Sequence, residues 1–171
     1  EAEGCEAVMP GLLDFFLYCF YNSEWKHKNL GTSGQAAILA NLAVKIMELY
    51  RNHMIKRLAE CQGKYAVPEK ISHLSERAES ILSLGNDSGE GWFLTAEMLE
   101  LISSGVPNII CAQPFACLPN HVTGKGMIKE LRRLYPDTNI VPIDYDPGAS
   151  EVNQLNRIKL MVATAHKRHE A

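Results

Sequence analysis

Two cysteines and a histidine lie at a spacing that could bind a metal. Cys111 and Cys117 are separated by five residues, and Pro114 bends the segment between them. His121 follows Cys117 by four positions, so the pattern Cys-x5-Cys-x3-His could supply three zinc ligands. The spacing is not the Cys-x-x-Cys pattern of a redox pair. It leaves two interpretations open, ligation of a metal or cluster and two ordinary loop cysteines.

A glycine-rich segment after these residues resembles a phosphate-binding loop only in part. That motif needs a glycine five residues before its Gly-Lys pair and a serine or threonine after it. Here Pro119 precedes Gly124-Lys125 and Gly126 follows. The free N–H groups of a helix that starts near Gly124 could still bind an anion, with Lys125 beside them. The alternative is a turn that the glycines allow. We place no dinucleotide fingerprint and no catalytic triad in the sequence.

Two buried strands are predicted to position these residues, at about 106–112 and 139–145. Helical patterns flank and separate them, at about 95–104, 122–135 and 150–167. This order predicts a parallel βαβ unit with a right-handed crossover. Ligands of such sheets bind beyond the carboxyl ends of the strands. We therefore expect Cys111 and Cys117 to lie in one loop at this edge, near residues 144–150.

The first half of the chain is predicted to be helical, at about 12–20, 35–60 and 68–84. The long second helix has one apolar stripe, which we expect to face the core: Leu39, Leu42, Ala43, Ile46, Met47, Tyr50, Met54 and Leu58. The predicted class is α/β, a parallel Rossmann-like or flavodoxin-like sheet with flanking helices and a helical N-terminal half. We expect a mainly helical segment 1–88 and an α/β segment 89–171, forming one compact lobe of a longer chain.

Composition excludes several classes of protein. The 171 residues are 46% hydrophobic and 22% charged, and the formal net charge is −3, which argues against a nucleic-acid scaffold. The apolar runs are shorter than the roughly 18 residues of a membrane span. The N-terminal residues carry no secretory-signal pattern. Five unevenly spaced cysteines make a poor disulfide framework, so we expect reduced thiols and a cytoplasmic location.

Several segments together resemble a known family. They are residues 3–11 (EGCEAVMPG), 89–98 (GEGWFLTAEM), 111–121 (CAQPFACLPNH), 124–129 (GKGMIK) and 143–157 (IDYDPGASEVNQLNR). They resemble the large activators of (R)-2-hydroxyglutaryl-CoA dehydratase, also called CoA-substrate-specific enzyme activases. The resemblance is dense from Gly89 to about Met161 and thinner before that.

The resemblance implies an oxygen-sensitive iron–sulfur system. In it, an ATP-hydrolysing activator passes single electrons to a dehydratase component, which removes water from a 2-hydroxyacyl-CoA. This chain is similar to the dehydratase-like region near the C-terminal end of such proteins. Cys111 and Cys117 would then ligate a [4Fe–4S] or related cluster. ATP would bind elsewhere in the parent chain.

The same resemblance implies partners and limits. The partners would be the rest of the parent polypeptide and an acyl-CoA dehydratase or its substrate. The net charge and the short apolar runs, not the resemblance, favour no nucleic acid and no membrane among the partners. Because the ATPase motifs and the further cysteine segments of the family are not in this sequence, we expect the isolated chain to lack activity. Two alternatives remain. In one, Cys111, Cys117 and His121 hold a structural zinc ion in an interaction module; in the other, the domain binds no metal.

Overall fold

The computed structural model describes residues 3–61, 65 and 67–169. Helices α1, α2, α3 and α4 span Leu12–Leu30, Gly34–Ala59, Ile71–Glu79 and Trp92–Ser103, and strand β1 spans Asn108–Pro114. Helix α5 (Ile128–Leu134), strand β2 (Asn139–Tyr145) and helix α6 (Glu151–His169) follow. The chain is thus mixed helix and strand. No helix in these residues is long and apolar enough to cross a membrane.

The two strands form a parallel pair joined through α5, as the helix–strand order predicts. Their register runs from Asn108 opposite Asn139 to Pro114 opposite Tyr145. Within the described residues the sheet has these two strands. Ile109, Ile140 and neighbouring side chains pack against α4 and α5 on one face. Helix α6 packs mainly against β2.

Aromatic side chains join α4 to the helical half. The rings of Tyr18 and Phe93 stack with centroids 5.3 Å apart, and Trp92 meets Tyr18 edge to face at 5.1 Å. The indole N–H of Trp92 donates to Oδ1 of Asn22 at 2.8 Å, which satisfies both buried polar groups. Asn22 lies within α1, which continues to Leu30. The prediction that the first helix ends at about residue 20, before Tyr21-Asn22-Ser23, is wrong.

Two further helix predictions differ from the structure. The helix expected at 68–84 is the shorter α3, Ile71–Glu79, and the helix expected at 122–135 is divided. A π-helical turn, Asn120–Gly124, and a 3-10 turn, Lys125–Met127, precede α5. Such turns within a helix often occur at functional sites. This one packs against the carboxyl half of β1.

Helix α2 packs with a different face from the one predicted. Ala37, Ala40 and Arg51 are its buried residues, and Arg51 Nη1 lies 2.6 Å from Oδ1 of Asp14 on α1. Most of the predicted stripe is exposed, including Leu39 at 67% and Tyr50 at 73%. The small alanines let α1 approach closely, and the buried ion pair fixes the orientation. The periodicity of a helix with two apolar faces does not reveal which face packs.

Candidate functional site

The carboxyl ends of both strands meet at one edge of the sheet. Pro114 lies opposite Tyr145, and the N–H of Phe115 donates to the Tyr145 carbonyl at 3.3 Å. The loop that carries Cys117 therefore begins beside the segment 146–150. The prediction that these two loops share an edge is confirmed.

Cys111 does not lie in that loop. Strand β1 continues to Pro114, two residues beyond the predicted end, and Cys111 lies within the strand and is buried. The prediction of both cysteines in one loop is wrong, because ladder pairing with β2 extends along the whole of 108–114. The Cys111 sulfur accepts a hydrogen bond from Nε2 of Gln113 at 3.0 Å. Burial raises the pKa of this thiol, and the charge of Glu97 adds to the rise.

A glycine in the π-helical turn lies directly against these two side chains. A Cβ atom built at Gly124 would lie 3.2 Å from the Cys111 sulfur and 3.3 Å from Nε2 of Gln113. The missing side chain therefore lets the turn approach β1. Gln113 is fully buried, and its Oε1 has no hydrogen-bond partner within the described residues. The amide nitrogen of Gln113 is thus engaged while its oxygen is free.

Cys117 lies in the turn that follows β1 and is half-buried. Its N–H donates to the Pro114 carbonyl at 3.2 Å, which closes a four-residue turn. Ala116 adopts a left-handed conformation in this turn, with φ +56°. The Cys117 sulfur accepts a hydrogen bond from Nδ2 of Asn120 at 3.2 Å. Cys111 and Cys117 therefore have separate hydrogen-bond partners and different burial.

His121 is exposed and lies beside the backbone of Cys117. Its Nδ1 is 2.8 Å from the Cys117 carbonyl oxygen, and its own N–H donates to the same oxygen at 3.1 Å. Since a carbonyl only accepts, Nδ1 is the donor in this contact, and Nε2 is left free for another partner. The structure thus brings Cys117 and His121 together. Within the described residues, no group of three or more His, Cys, Asp or Glu side chains could hold a metal ion.

Other polar groups at this edge come from α4 and from the turn before α5. Lys125 Nζ and Asp144 Oδ1 are 3.5 Å apart and both side chains are exposed, so the pair contributes little stability. Burial raises the pKa of Glu97 to about 7, and the charges of Glu100, Asp14 and Glu90 act in the same direction. An open groove of about 510 Å³ lies between the end of β2 and the start of α6.

The sequence alone does not predict a role for three polar residues of this region. Gln113 and Asn120 have no motif that would reveal them, because their contacts depend on the π-helical turn. Glu97 offers a weak signal, a carboxylate among apolar residues of α4.

The fold and the site define a chain with a parallel strand pair and a half-buried thiol at its carboxyl edge. Comparison with protein-family models, curated proteins and solved structures gives no match.

Proposed function

We propose that the chain is a dehydratase-like domain of an iron–sulfur activator or electron-transfer protein in the 2-hydroxyacyl-CoA dehydratase system. In this proposal the parallel strands belong to a larger Rossmann-like or flavodoxin-like sheet. The rest of the parent polypeptide binds ATP and supplies the remaining cluster ligands. The position of Cys117, a half-buried thiol at the carboxyl edge of parallel strands, is the observation that carries the proposal.

The two cysteines are unequal candidates for ligation. The Cys117 sulfur has a single amide donor and faces a turn, whereas the Cys111 sulfur is buried in β1. Ligation requires a thiolate, and burial raises the pKa of the Cys111 thiol, which opposes its deprotonation. We therefore assign the ligand role to Cys117. In this assignment Cys111 and Gln113 support the strand beside it.

The described residues do not make up a complete cluster site. An iron–sulfur cluster commonly needs four thiolates, and the edge described above supplies one accessible thiol. The remaining described cysteines lie outside this edge: Cys5, on the N-terminal segment, Cys19, on α1, and Cys61, just after α2. A cluster at this edge of the isolated chain therefore needs its remaining ligands from another molecule. A small thiol in solution can take those positions in an experiment.

The proposal is tested by metal and acid-labile sulfide analysis of the chain prepared without oxygen. The protein is incubated with ferrous iron, sulfide and a small thiol, and unbound ions are removed before analysis. Bound iron with a similar amount of sulfide supports the proposal. Iron without sulfide, or no bound metal, overturns it.

A second candidate function, a zinc-bearing interaction module, is favoured by the contact between His121 and Cys117. Hydrogen bonding of Nδ1 to a backbone carbonyl leaves Nε2 free, the arrangement that zinc-binding histidines commonly show. Zinc without sulfide in the anaerobic chain, lost in both Cys117→Ser and His121→Ala, would support this function. Zinc binding that survives either substitution would exclude it.

A further inference from the structure

The outer edge of β2 is closed by side chains. The N–H of Asn139 donates to the Pro107 carbonyl, and the Tyr145 carbonyl accepts from the N–H of Phe115. The odd-numbered residues of β2 therefore direct their backbone groups toward β1, and the even-numbered residues direct theirs away from it. The outward carbonyls are those of Ile140, Pro142 and Asp144. Each accepts a side-chain hydrogen bond, from Arg132 at 2.6 Å, from Arg157 at 2.8 Å and from Gln154 at 2.9 Å.

Proline completes this closure. Pro142 has no N–H, so the middle position of the outer edge offers no donor to another strand. Arg132 comes from α5, and Arg157 and Gln154 come from α6, so two helices block one edge. Native proteins protect exposed strand edges in such ways against pairing with other chains. We conclude that β2 is a terminal strand.

The outer edge of β1 has no such protection. By the same alternation, Asn108, Ile110 and Ala112 point their backbone groups away from β2. The structure gives their N–H groups no hydrogen-bond partner among the described residues, and the Ala112 carbonyl has one long contact, 3.5 Å from Nε2 of Gln113. Ile110 is 40% exposed, because α6 lies mainly over β2. This edge can therefore accept another strand.

The open edge is compatible with a second copy of itself. Strand β1 (NIICAQP) carries no charged residue, so two identical edges meet without repulsion between like charges. The outward residues are also symmetric about Ile110. In an antiparallel pair centred there, Ile110 faces Ile110 of the second copy, and Asn108 faces Ala112. Each copy then satisfies the free N–H and C=O groups of the other, and Pro114 ends the pairing.

We propose that in the isolated chain β1 is a dimerisation strand that pairs in antiparallel fashion with β1 of a second copy, on the edge from which the larger sheet of the proposed function would extend in the parent protein, and so joins two two-stranded sheets into one. This inference depends on backbone groups and on charge, and it does not require a bound cluster. A closed two-fold contact of this kind uses the same surface on both copies. Backbone hydrogen bonds would supply the affinity, and the paired Ile110 side chains would add an apolar contact.

Sedimentation analysis over a wide range of protein concentration tests the dimer, with hydrogen exchange read at single residues. We expect the Ile110 and Ala112 amides to become protected as concentration rises. The Ile109 and Cys111 amides face β2 and should be protected at every concentration. A chain that remains monomeric would overturn the proposal. So would a monomer whose Ile110 amide is already protected, since another strand would then occupy the edge.

Two substitutions at one position make the test specific. Ile110→Lys keeps the outward N–H of residue 110 but places two like charges at the symmetry axis of the dimer. Ile110→Pro removes that N–H, and no hydrogen bond to β2 is lost because the N–H points away from β2. Each should weaken dimerisation by about tenfold or more. Val152→Lys adds the same charge at an exposed position of α6 and should leave the dimer unchanged. Circular dichroism verifies that each variant folds. A dimer that persists in both Ile110 variants would overturn the proposal.

Discussion

Asn120 donates a hydrogen bond to the sulfur of Cys117 across 3.2 Å, and this contact ties the turn after β1 to the π-helical turn. The Cys117 sulfur consequently stays at the carboxyl edge of the sheet and half-buried. Cys111, six positions earlier in the sequence, is buried against Gly124 and Gln113. Two cysteines that look equivalent in the sequence thus have different surroundings.

The first prediction concerns the reactivity of the cysteines. Exposed Cys61 and half-buried Cys117 should react with a maleimide in the native chain. Cys111 should stay unmodified until the chain is unfolded, because it is buried and its thiol pKa is raised. Mass mapping of labelled peptides, with and without denaturant, measures this difference. Labelling of Cys111 in the native chain at the rate of Cys61 would contradict the structure.

The second prediction concerns the strained turn before Cys117. Ala116 has φ +56°, a conformation that costs an L-residue about 1 kcal/mol and that glycine adopts freely. Ala116→Gly should therefore raise the free energy of unfolding by about 0.5 kcal/mol, once the greater freedom of the unfolded chain is deducted.

Denaturant unfolding measures this effect, and Ala112→Gly is the matched control. Ala112 lies within β1, where glycine weakens a strand, so the same substitution should lower the free energy of unfolding by about 0.5–1 kcal/mol. Equal effects of the two substitutions would show that the backbone at Ala116 is not strained.

Part of the fold could be predicted from the sequence because its signals are local. Strand β2 has the predicted bounds, and α2 differs by about one residue at each end, since Ser33 accepts a hydrogen bond from the Ala36 N–H as an N-cap. The orientation of α2 could not be predicted, because both of its faces are apolar. Contacts between residues distant in sequence select the buried face, among them the ion pair between Arg51 and Asp14.

The third prediction concerns the close contact at Gly124. Gly124→Ala should lower the free energy of unfolding by about 1 kcal/mol, because the new methyl group meets the Cys111 sulfur and Nε2 of Gln113 in a packed interior. The loss should be smaller when Cys111→Ala removes the sulfur. A double-mutant cycle measures this coupling. Additive effects of the two substitutions would mean that the residues do not touch.

The fourth prediction concerns pH. Burial raises the pKa of Glu97 from 4.5 to about 7, so the folded chain binds more protons than the unfolded chain between these values. The contribution of Glu97 to the free energy of unfolding therefore falls as pH rises from about 4.5 to 7. Glu97→Gln removes this loss, and should stabilise the chain by on the order of 1 kcal/mol at about pH 8 and little at about pH 4.

Thermal unfolding of Glu97→Gln and of the wild-type chain across this pH range provides the measurement. Glu76→Gln, the same substitution at an exposed position of α3, is the control for the chemical change alone. Asp14, whose pKa burial raises to about 6, is present in all three chains and contributes to the pH dependence of each. Plots of the unfolding temperature against pH that stay parallel for Glu97→Gln and wild type would contradict the prediction.

The candidate site was only partly predictable. The strand–helix–strand order is sufficient to place the loops after β1 and β2 at one edge, because parallel strands align their carboxyl ends. The end of β1 was less predictable, since Gln113-Pro114 has a loop-like composition and becomes part of the strand only through pairing with β2. The hydrogen bonds of Gln113 and Asn120 to sulfur arise from tertiary contacts, which sequence periodicity does not contain.

Anaerobic reconstitution of three chains tests the central proposal most directly. Wild type, Cys117→Ser and Cys61→Ser are incubated with ferrous iron, sulfide and a small thiol, and retained iron and acid-labile sulfide are measured. Cys61 is an exposed cysteine outside the edge of the sheet, so its substitution controls for nonspecific binding to thiols. We predict that wild type and Cys61→Ser retain iron and sulfide in similar amounts, and that Cys117→Ser loses most of both. Retention by Cys117→Ser at the wild-type level would contradict the proposal.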